Sequence, residues 1–162
     1  MKKVIYPGSF NPITYGHVNI VERGLELFDH MVVGIGTSID KDPNTYLKDR
    51  IRLCRESLES FGDRVNVVGF NGLLVDFVKS NDTRFVLRGL RTLTDYDYEF
   101  QMLEMNRQIE PSLEYVLLPT SQKWSHLSST RVREIAALGG DVSPFVPPCV
   151  SEYYREKHTI PD

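Results

Sequence analysis

The chain has 162 residues with ordinary hydrophobic and charged fractions, which fit one globular domain with a full core. Its net charge of −3 argues against general nucleic-acid binding, because that needs a basic surface, and no apolar run is long enough to span a membrane. Cys54 and Cys149 form no metal-binding pair, so we expect free thiols in a cytoplasmic protein. We expect residues 1–162 to form a single domain, with a last helix at about 150–157 packed on it.

The first strand, loop and helix of the chain predict an anion site. Val4-Ile5-Tyr6 is a short buried strand that ends at Pro7-Gly8, and Thr14-Tyr15-Gly16-His17 opens an amphipathic helix. Loop N–H groups and the positive end of the helix dipole converge at such a junction. The dipole resists protonation of His17, so we expect a neutral imidazole that donates one N–H to a phosphate oxygen.

The rest of the chain alternates four further strands with helices. The predicted strands are Met31–Gly36, Val65–Phe70, Phe85–Leu87 and Tyr115–Leu118. The predicted helices are Leu47–Phe61, Leu73–Lys79, Asp95–Ile109 with Asp95 as N-cap, Ser128–Leu138 and about 150–157. Within the long helix, Phe100, Leu103 and Met105 could be core residues or a subunit contact, and the core is the default expectation.

This alternation predicts a three-layer, Rossmann-like α/β fold with helices on both faces of a five-stranded parallel sheet. If the strand order is 3-2-1-4-5, the order reverses between the first and fourth strands. Ligands of such sheets bind beyond the carboxyl ends of the strands at that reversal. The loop from Gly8 to His17 would then face the loop from Arg88 to Arg91.

The polar residues expected around this point are phosphate-binding groups without a nucleophile. They are Ser9, His17, Lys41, Arg88, Arg91 and the hydroxyl run Ser128-Ser129-Thr130. The chain has no Walker A loop, no dinucleotide fingerprint, no nucleophile elbow and no metal-ligand motif. Cations and donors alone suit phosphoryl or nucleotidyl transfer, which needs positioning and charge stabilisation more than covalent help.

Two motifs resemble those of the nucleotidyltransferase superfamily. Thr14-Tyr15-Gly16-His17 matches the TxGH/HxGH motif, and residues 128–133 (SSTRVR) match SSTxxR. The segments at 87–91, 97–99, 105–107 and 124–125 are similar to those of the bacterial phosphopantetheine adenylyltransferases. The resemblance extends from Lys3 to about Tyr153.

The resemblance implies an activity and an assembly. ATP and 4′-phosphopantetheine would give dephospho-coenzyme A and pyrophosphate, the penultimate step of coenzyme A synthesis. Mg²⁺ would accompany ATP, because it neutralises triphosphate charge. The family pattern also implies a homohexamer and feedback inhibition by coenzyme A.

The resemblance also implies roles for individual residues. His17, Lys41 and Arg91 would be catalytic. ATP would contact Ser9, Phe10, His17, Gly89, Leu90, Arg91, Glu99, Trp124, Ser125, His126, Leu127, Ser128, Ser129 and Thr130. Phosphopantetheine would contact Ser9, Lys41, Leu73, Leu74, Arg88 and Asn106. No protein ligand to a metal is expected.

The chain departs from the family pattern at Asn11, where aspartate is common, at Ser9, where threonine is usual, and at Leu127, where isoleucine is frequent. None of these changes removes a required donor. Two alternatives remain open. The chain could transfer a nucleotidyl group to another small phosphate, such as nicotinamide mononucleotide or glycerol phosphate, or it could be a flavodoxin-like regulatory module that binds a nucleotide without turnover.

Overall fold

The computed structural model of the protein describes residues 1–37 and 46–158 and contains one five-stranded parallel sheet. The strands are β1 (Lys3–Gly8), β2 (His30–Gly36), β3 (Val65–Phe70), β4 (Phe85–Leu90) and β5 (Glu114–Pro119). Their order is β3-β2-β1-β4-β5. The predicted fold class and strand order are therefore confirmed.

Six helices cover this sheet within the described residues. They are α1 (Tyr15–Leu27), α2 (Leu47–Ser57), α3 (Leu74–Ser80), α4 (Leu93–Ile109), α5 (Ser129–Ala137) and α6 (Pro148–His158). Alternate residues of β1 enter two separate buried clusters, Val4 with Val21 of α1 and Ile5 with Val75 of α3. Since neighbouring strand residues point to opposite faces, the two clusters are the two sides of a three-layer fold. None of these helices is long and apolar enough to span a membrane.

The order of the strands reverses where β1 lies between β2 and β4. β1 pairs with β2 along its whole length, from Lys3 opposite His30 to Gly8 opposite Ile35. β1 pairs with β4 at Ile5, which lies opposite Val86. Beyond this position, the loops that follow β1 and β4 border a common opening.

Two helix predictions, for α2 and α4, differ from the structure. Regular α2 ends at Ser57 because Leu58, with φ −109° and ψ 7°, leaves the α-helical conformation. A 3-10 turn follows at Glu59–Arg64, within which Gly62 adopts a positive φ of 56°. The N-cap of α4 is Thr92 and not Asp95, which is the third helical residue and completes a capping box with Thr92. The sequence does contain the signal for this cap, because Thr92 is followed three residues later by the carboxylate of Asp95.

The core assignment in α4 is correct for only one of its three residues. Leu103 is buried, whereas Phe100 is 46% exposed and Met105 is 65% exposed. Leu93, Tyr98 and Ile109 add further apolar surface to the same helix. Because apolar residues occur all round α4, its hydrophobic pattern does not distinguish the face on the sheet from the face in solvent.

Candidate active site

A cleft of about 350 Å³ opens at the carboxyl ends of β1 and β4. Its wall is formed by the β1–α1 loop, the end of β4, the start of α4 and the amino end of α5. The lining residues are Tyr6, Pro7, Gly8, Ser9, Phe10, Thr14, Gly16, His17, Ile20, Arg88, Gly89, Arg91, Asp95, Glu99, Thr120, Trp124, Leu127, Ser128, Ser129, Thr130 and Arg133. The predicted topological switch point is therefore the place where the polar groups converge.

The β1–α1 loop is held in shape by a buried aromatic residue. Phe10 is 2% exposed and has a φ of 45°, an uncommon conformation for a residue with a side chain. Its ring lies against Gly8, where an added Cβ would come within 2.9 Å of a ring carbon. It also contacts the rings of Tyr6 and His17 at centroid distances of 5.1 and 4.9 Å. Glycine at position 8 thus makes room for the ring that supports His17.

His17 is held in a defined tautomer by its own helix cap. The main-chain N–H of Thr14 donates to Nδ1 of His17 at 3.0 Å, and the Thr14 hydroxyl lies 3.2 Å from the same nitrogen. An Nδ1 that accepts this bond carries no proton, so the proton of the neutral ring is on Nε2. Burial, reinforced by the positive charges of Arg88 and Arg91, lowers the pKa of His17 to about 4. The imidazole is therefore neutral at physiological pH, and its available function is to donate from Nε2.

Arg88 crosses the opening between β1 and β4. Its guanidinium donates to the carbonyl of Pro7 and to Oε1 of Glu99, the latter at 2.6 Å. A side chain of β4 thereby holds the Pro7 carbonyl at the end of β1. Glu99 is 7% exposed, so the ion pair lies largely out of water. Glu99 acts on the cleft by orienting Arg88 rather than by presenting an unpaired carboxylate.

Arg91 connects two walls of the cleft. Its Nη1 donates to the carbonyl of Leu127 at 2.8 Å, and its Nε lies 3.4 Å from Oδ2 of Asp95. Asp95 also accepts the main-chain N–H groups of Arg91 and Thr92. These contacts attach the segment before α5 to the start of α4, so both walls share one rigid connection.

The amino end of α5 supplies the third wall. The hydroxyl of Ser128 caps the helix by accepting the N–H of Arg131 at 3.1 Å, and the hydroxyl of Ser129 donates to the Pro12 carbonyl at 2.7 Å. The first N–H groups of a helix have no partners inside it, and the helix dipole makes this end positive. Thr130, in the first turn of α5, lines the same cleft as His17, so the positive ends of two helices border it.

The structure brings most of the predicted site residues together. Those that line the cleft are Ser9, Phe10, His17, Arg88, Gly89, Arg91, Glu99, Trp124, Leu127, Ser128, Ser129 and Thr130. Those that do not line it are Leu73, Leu74, Leu90, Asn106, Ser125 and His126. Lys41 lies outside the described residues.

Several lining residues were not predicted from the sequence. The sequence predicts Asp95 only as a helix cap, and it predicts no role for Thr120, Ile20 or Arg133. Arg133 is the last residue of the SSTRVR motif, and Thr120 directly follows β5. Membership of the motif could have indicated Arg133, and the position after a strand could have indicated Thr120. Ile20 carries no polar signal, since it enters the cleft as one of the buried residues of α1.

A parallel sheet of this order, with a cleft lined by arginines and helix amino ends at its switch point, is typical of nucleotide-binding α/β folds. Residues 5–135 match the family model described as cytidylyltransferase-like. Phosphopantetheine adenylyltransferases from two Coxiella burnetii strains, Dugway 5J108-111 and CbuG_Q212, are each 47% identical over 153 residues, which is 94% of this chain and 95% of theirs. The chain belongs to the cytidylyltransferase-like family, in its phosphopantetheine adenylyltransferase branch.

The fold likeness extends to a more distant protein. A crystal structure assigned as a nicotinate-nucleotide adenylyltransferase from Vibrio parahaemolyticus superposes with a TM-score of 0.66 and covers 94% of this chain and 91% of its own. The two sequences are only 22% identical, so this likeness concerns the fold alone.

Proposed function

We propose that the protein transfers the adenylyl group of ATP to 4′-phosphopantetheine, which gives dephospho-coenzyme A and pyrophosphate. The supporting observation is the neutral His17 beside Arg88 and Arg91 in a cleft with a helix amino end on the opposite wall. The 47% identity to enzymes named for this reaction supports the same choice of substrates.

The reaction needs no general base. A phosphate oxygen of phosphopantetheine attacks the α-phosphorus of ATP, and the bond from that phosphorus to the bridging oxygen of the β-phosphate breaks. Pyrophosphate leaves with the bonding electron pair. Because the nucleophile is already an anion at neutral pH, the chain has to neutralise and orient charge rather than remove a proton.

In this proposal His17 stabilises the α-phosphate as its negative charge grows. A proton on Nε2 allows donation to a non-bridging oxygen, and a pKa of about 4 keeps that proton from being joined by a second one on Nδ1. Ser9 and the N–H of Phe10 are proposed to contact the same region, where the two substrates meet.

On the acceptor side, we assign Arg88 and Lys41 to the phosphate of phosphopantetheine. The guanidinium of Arg88 is already oriented by Glu99 and Pro7, so phosphate binding costs little further ordering. Leu73, Leu74 and Asn106 are proposed contacts of the pantetheine arm. They lie outside the 350 Å³ cleft, and Leu73 is 57% exposed, so the arm would have to extend beyond that cleft.

On the nucleotide side, we assign Gly89, Leu90 and Arg91 to ATP. Glu99, which the resemblance gives as an ATP contact, is proposed to act on the acceptor side by orienting Arg88. The segment from Trp124 to Thr130, which includes Ser125 and His126, is proposed to cover the nucleotide. The amino end of α5 would receive the β- and γ-phosphates, since its N–H groups and dipole favour anions.

Mg²⁺ is proposed to enter with the triphosphate rather than on ligands from the chain. Asp95 and Glu99 are the carboxylates of the cleft, and both are engaged, by Arg91 and Arg88 respectively. Over the residues that the structure describes, no group of three His, Cys, Asp or Glu side chains could hold a metal ion. When bound, the metal would supply charge neutralisation of the phosphates.

We further propose a single nucleotidyltransferase domain over residues 1–162 that assembles as a homohexamer in the cytoplasm. Tyr98, Met105 and Ile109 share one exposed face of α4, and this apolar face is suited to subunit contact. The two free cysteines fit a reducing compartment. Coenzyme A carries both a pantetheine arm and an adenine nucleotide, so it would compete for this site as a feedback inhibitor.

The test of this function is pyrophosphate release from ATP and Mg²⁺, measured in parallel with three acceptors. These are 4′-phosphopantetheine, nicotinamide mononucleotide and glycerol phosphate. Release with phosphopantetheine alone is the expected result. Pyrophosphate release with another acceptor would show that the substrate is not phosphopantetheine. ATP binding without pyrophosphate release would favour a regulatory nucleotide-binding module.

A further inference from the structure

Arg50 is a buried arginine that lies behind the wall of the cleft and does not line it. It belongs to α2 and is 8% exposed. Its Nη1 donates to the Ser9 carbonyl at 2.7 Å and to the Gly36 carbonyl at 3.2 Å. One guanidinium thus joins α2, the end of β2 and the loop that follows β1.

Burial of the Arg50 charge costs free energy that a packing role alone does not offset. Among the described residues, no carboxylate forms an ion pair with it, and its Nε is buried without a hydrogen-bond partner. A buried charge that is satisfied only in part by neutral carbonyls loses hydration without a full replacement. An anion in the cleft, one peptide unit away, would supply the missing opposite charge.

The bond from Arg50 also fixes the direction of an N–H group. The peptide between Ser9 and Phe10 is trans, and in a trans peptide the carbonyl and the following N–H point in opposite directions. Because Arg50 holds the Ser9 carbonyl, the Phe10 N–H is directed away from Arg50. This N–H has no acceptor among the described residues, and Ser9 and Phe10 both line the cleft.

We propose that Arg50 is a positioning residue for nucleotidyl transfer: it locks the Ser9–Phe10 peptide so that the Phe10 N–H donates to the reacting phosphate. This inference rests on the proposed nucleotidyl transfer and adds to it a residue that does not touch substrate. It also explains why the loop adopts the strained conformation at Phe10, since the clamp and the buried ring hold the peptide from two sides.

The decisive variants are Arg50→Met, which removes both bonds and the charge, and Arg50→Lys, which keeps the charge and can reach one carbonyl. Arg55→Met is the matched control, because Arg55 is an exposed arginine of the same helix that donates to the Val67 carbonyl at 3.2 Å. We would measure kcat and the KM for each substrate, per folded enzyme, beside each variant's melting temperature.

A donor aimed at the reacting phosphate acts most strongly in the transition state, so kcat should change more than KM. We expect Arg50→Met to lower kcat at least about tenfold, with Arg50→Lys intermediate and Arg55→Met close to wild type. If Arg50→Met does not fold, Arg50→Lys still decides, because any loss of kcat at unchanged folded fraction supports the proposal.

Wild-type kcat in Arg50→Met would overturn the positioning role, and so would wild-type kcat in Arg50→Lys where Arg50→Met does not fold. An equal loss in Arg55→Met would overturn it as well. The same variants are assayed with whichever acceptor the wild type uses. If that acceptor is not phosphopantetheine, the proposed substrate is refuted, but the effect of the Arg50 variants on kcat can still be measured. A wild type that releases pyrophosphate with none of the acceptors would refute both.

Discussion

Thr14 and His17 cap each other at the start of α1. The main-chain N–H of Thr14 donates to Nδ1 of His17 at 3.0 Å, while the Thr14 hydroxyl accepts the main-chain N–H of His17 at 3.4 Å. This reciprocal box serves two purposes at once, because it begins the helix and leaves the ring proton on Nε2. The tautomer needed for donation to phosphate is thus set before any substrate arrives.

His17→Ala should lower kcat by orders of magnitude with little change in ATP affinity. The loss corresponds to about 3 kcal/mol of transition-state stabilisation, the scale for removing one oxyanion-type donor. Steady-state kinetics and calorimetric ATP binding separate the two effects. His158→Ala, at the exposed end of α6, is the control and should keep wild-type kcat. An unchanged kcat in His17→Ala would remove His17 from the chemistry.

The neutrality of His17 should be visible in its titration. Because the pKa is lowered from 6.5 to about 4, the Nδ1 signal of its imidazole in ¹⁵N NMR should remain that of an unprotonated nitrogen down to about pH 5. Titration near pH 6.5 would contradict both the burial and the proximity of the two arginines as causes.

The same shift links His17 to stability. Between pH 6.5 and about 4 the unfolded chain binds a proton at His17 that the folded chain does not, so the free energy of unfolding falls as the pH is lowered through this window. The contribution is at most about 3 kcal/mol. Denaturant unfolding at pH 7 and pH 4.5 should show a smaller acid-induced loss in His17→Asn than in the wild type. Equal losses would exclude this linkage.

Variants of the ion pair between Arg88 and Glu99 should separate the effect of Arg88 on stability from its effect on acceptor binding. Arg88→Met leaves the Glu99 carboxylate buried without its partner, which should lower the free energy of unfolding by about 3 kcal/mol. Adding Glu99→Gln removes that charge and should restore much of the stability, but not the affinity for the acceptor phosphate.

Denaturant melts and the KM for phosphopantetheine of the two single variants and the double variant test this directly. Arg107→Met is the control, because Arg107 pairs with the half-exposed Glu114 and its loss should cost about 1 kcal/mol or less. A double variant that recovers the acceptor KM would show that Arg88 has no direct role at the phosphate.

The exposed face of α4 should be required for assembly. Met105→Glu places a charge on a side chain that is 65% exposed in a single subunit. It should shift the assembly to smaller species if that face is covered in the proposed hexamer. Sedimentation velocity measures the outcome, with Leu138→Glu as the control, since Leu138 is 90% exposed after α5. A full-sized assembly in Met105→Glu would place the subunit contact elsewhere.

Strand and helix order, and therefore the position of the cleft, could be read from local patterns. The apolar runs of β1 and β2 and the helical spacing of α1 are properties of neighbouring residues, and the rule for parallel sheets then locates the switch point. The motifs around His17 and Ser128 selected the family for the same reason, because each is a short continuous segment. Where the local pattern was ambiguous, in α4, the sequence assigned Phe100 and Met105 wrongly to the core.

Only the tertiary structure decided how the charged groups of the cleft are used. Arg88 meets Glu99 and Pro7, Arg91 meets Leu127, and Arg50 meets Ser9 across separations of up to 81 residues. Whether an arginine is oriented for a ligand or engaged by a neighbour depends on distances of a few ångströms between such remote segments. Hydrophobic periodicity carries no information on those distances. The role proposed for Arg50, which lies behind the β1–α1 loop, therefore left no signal in the sequence.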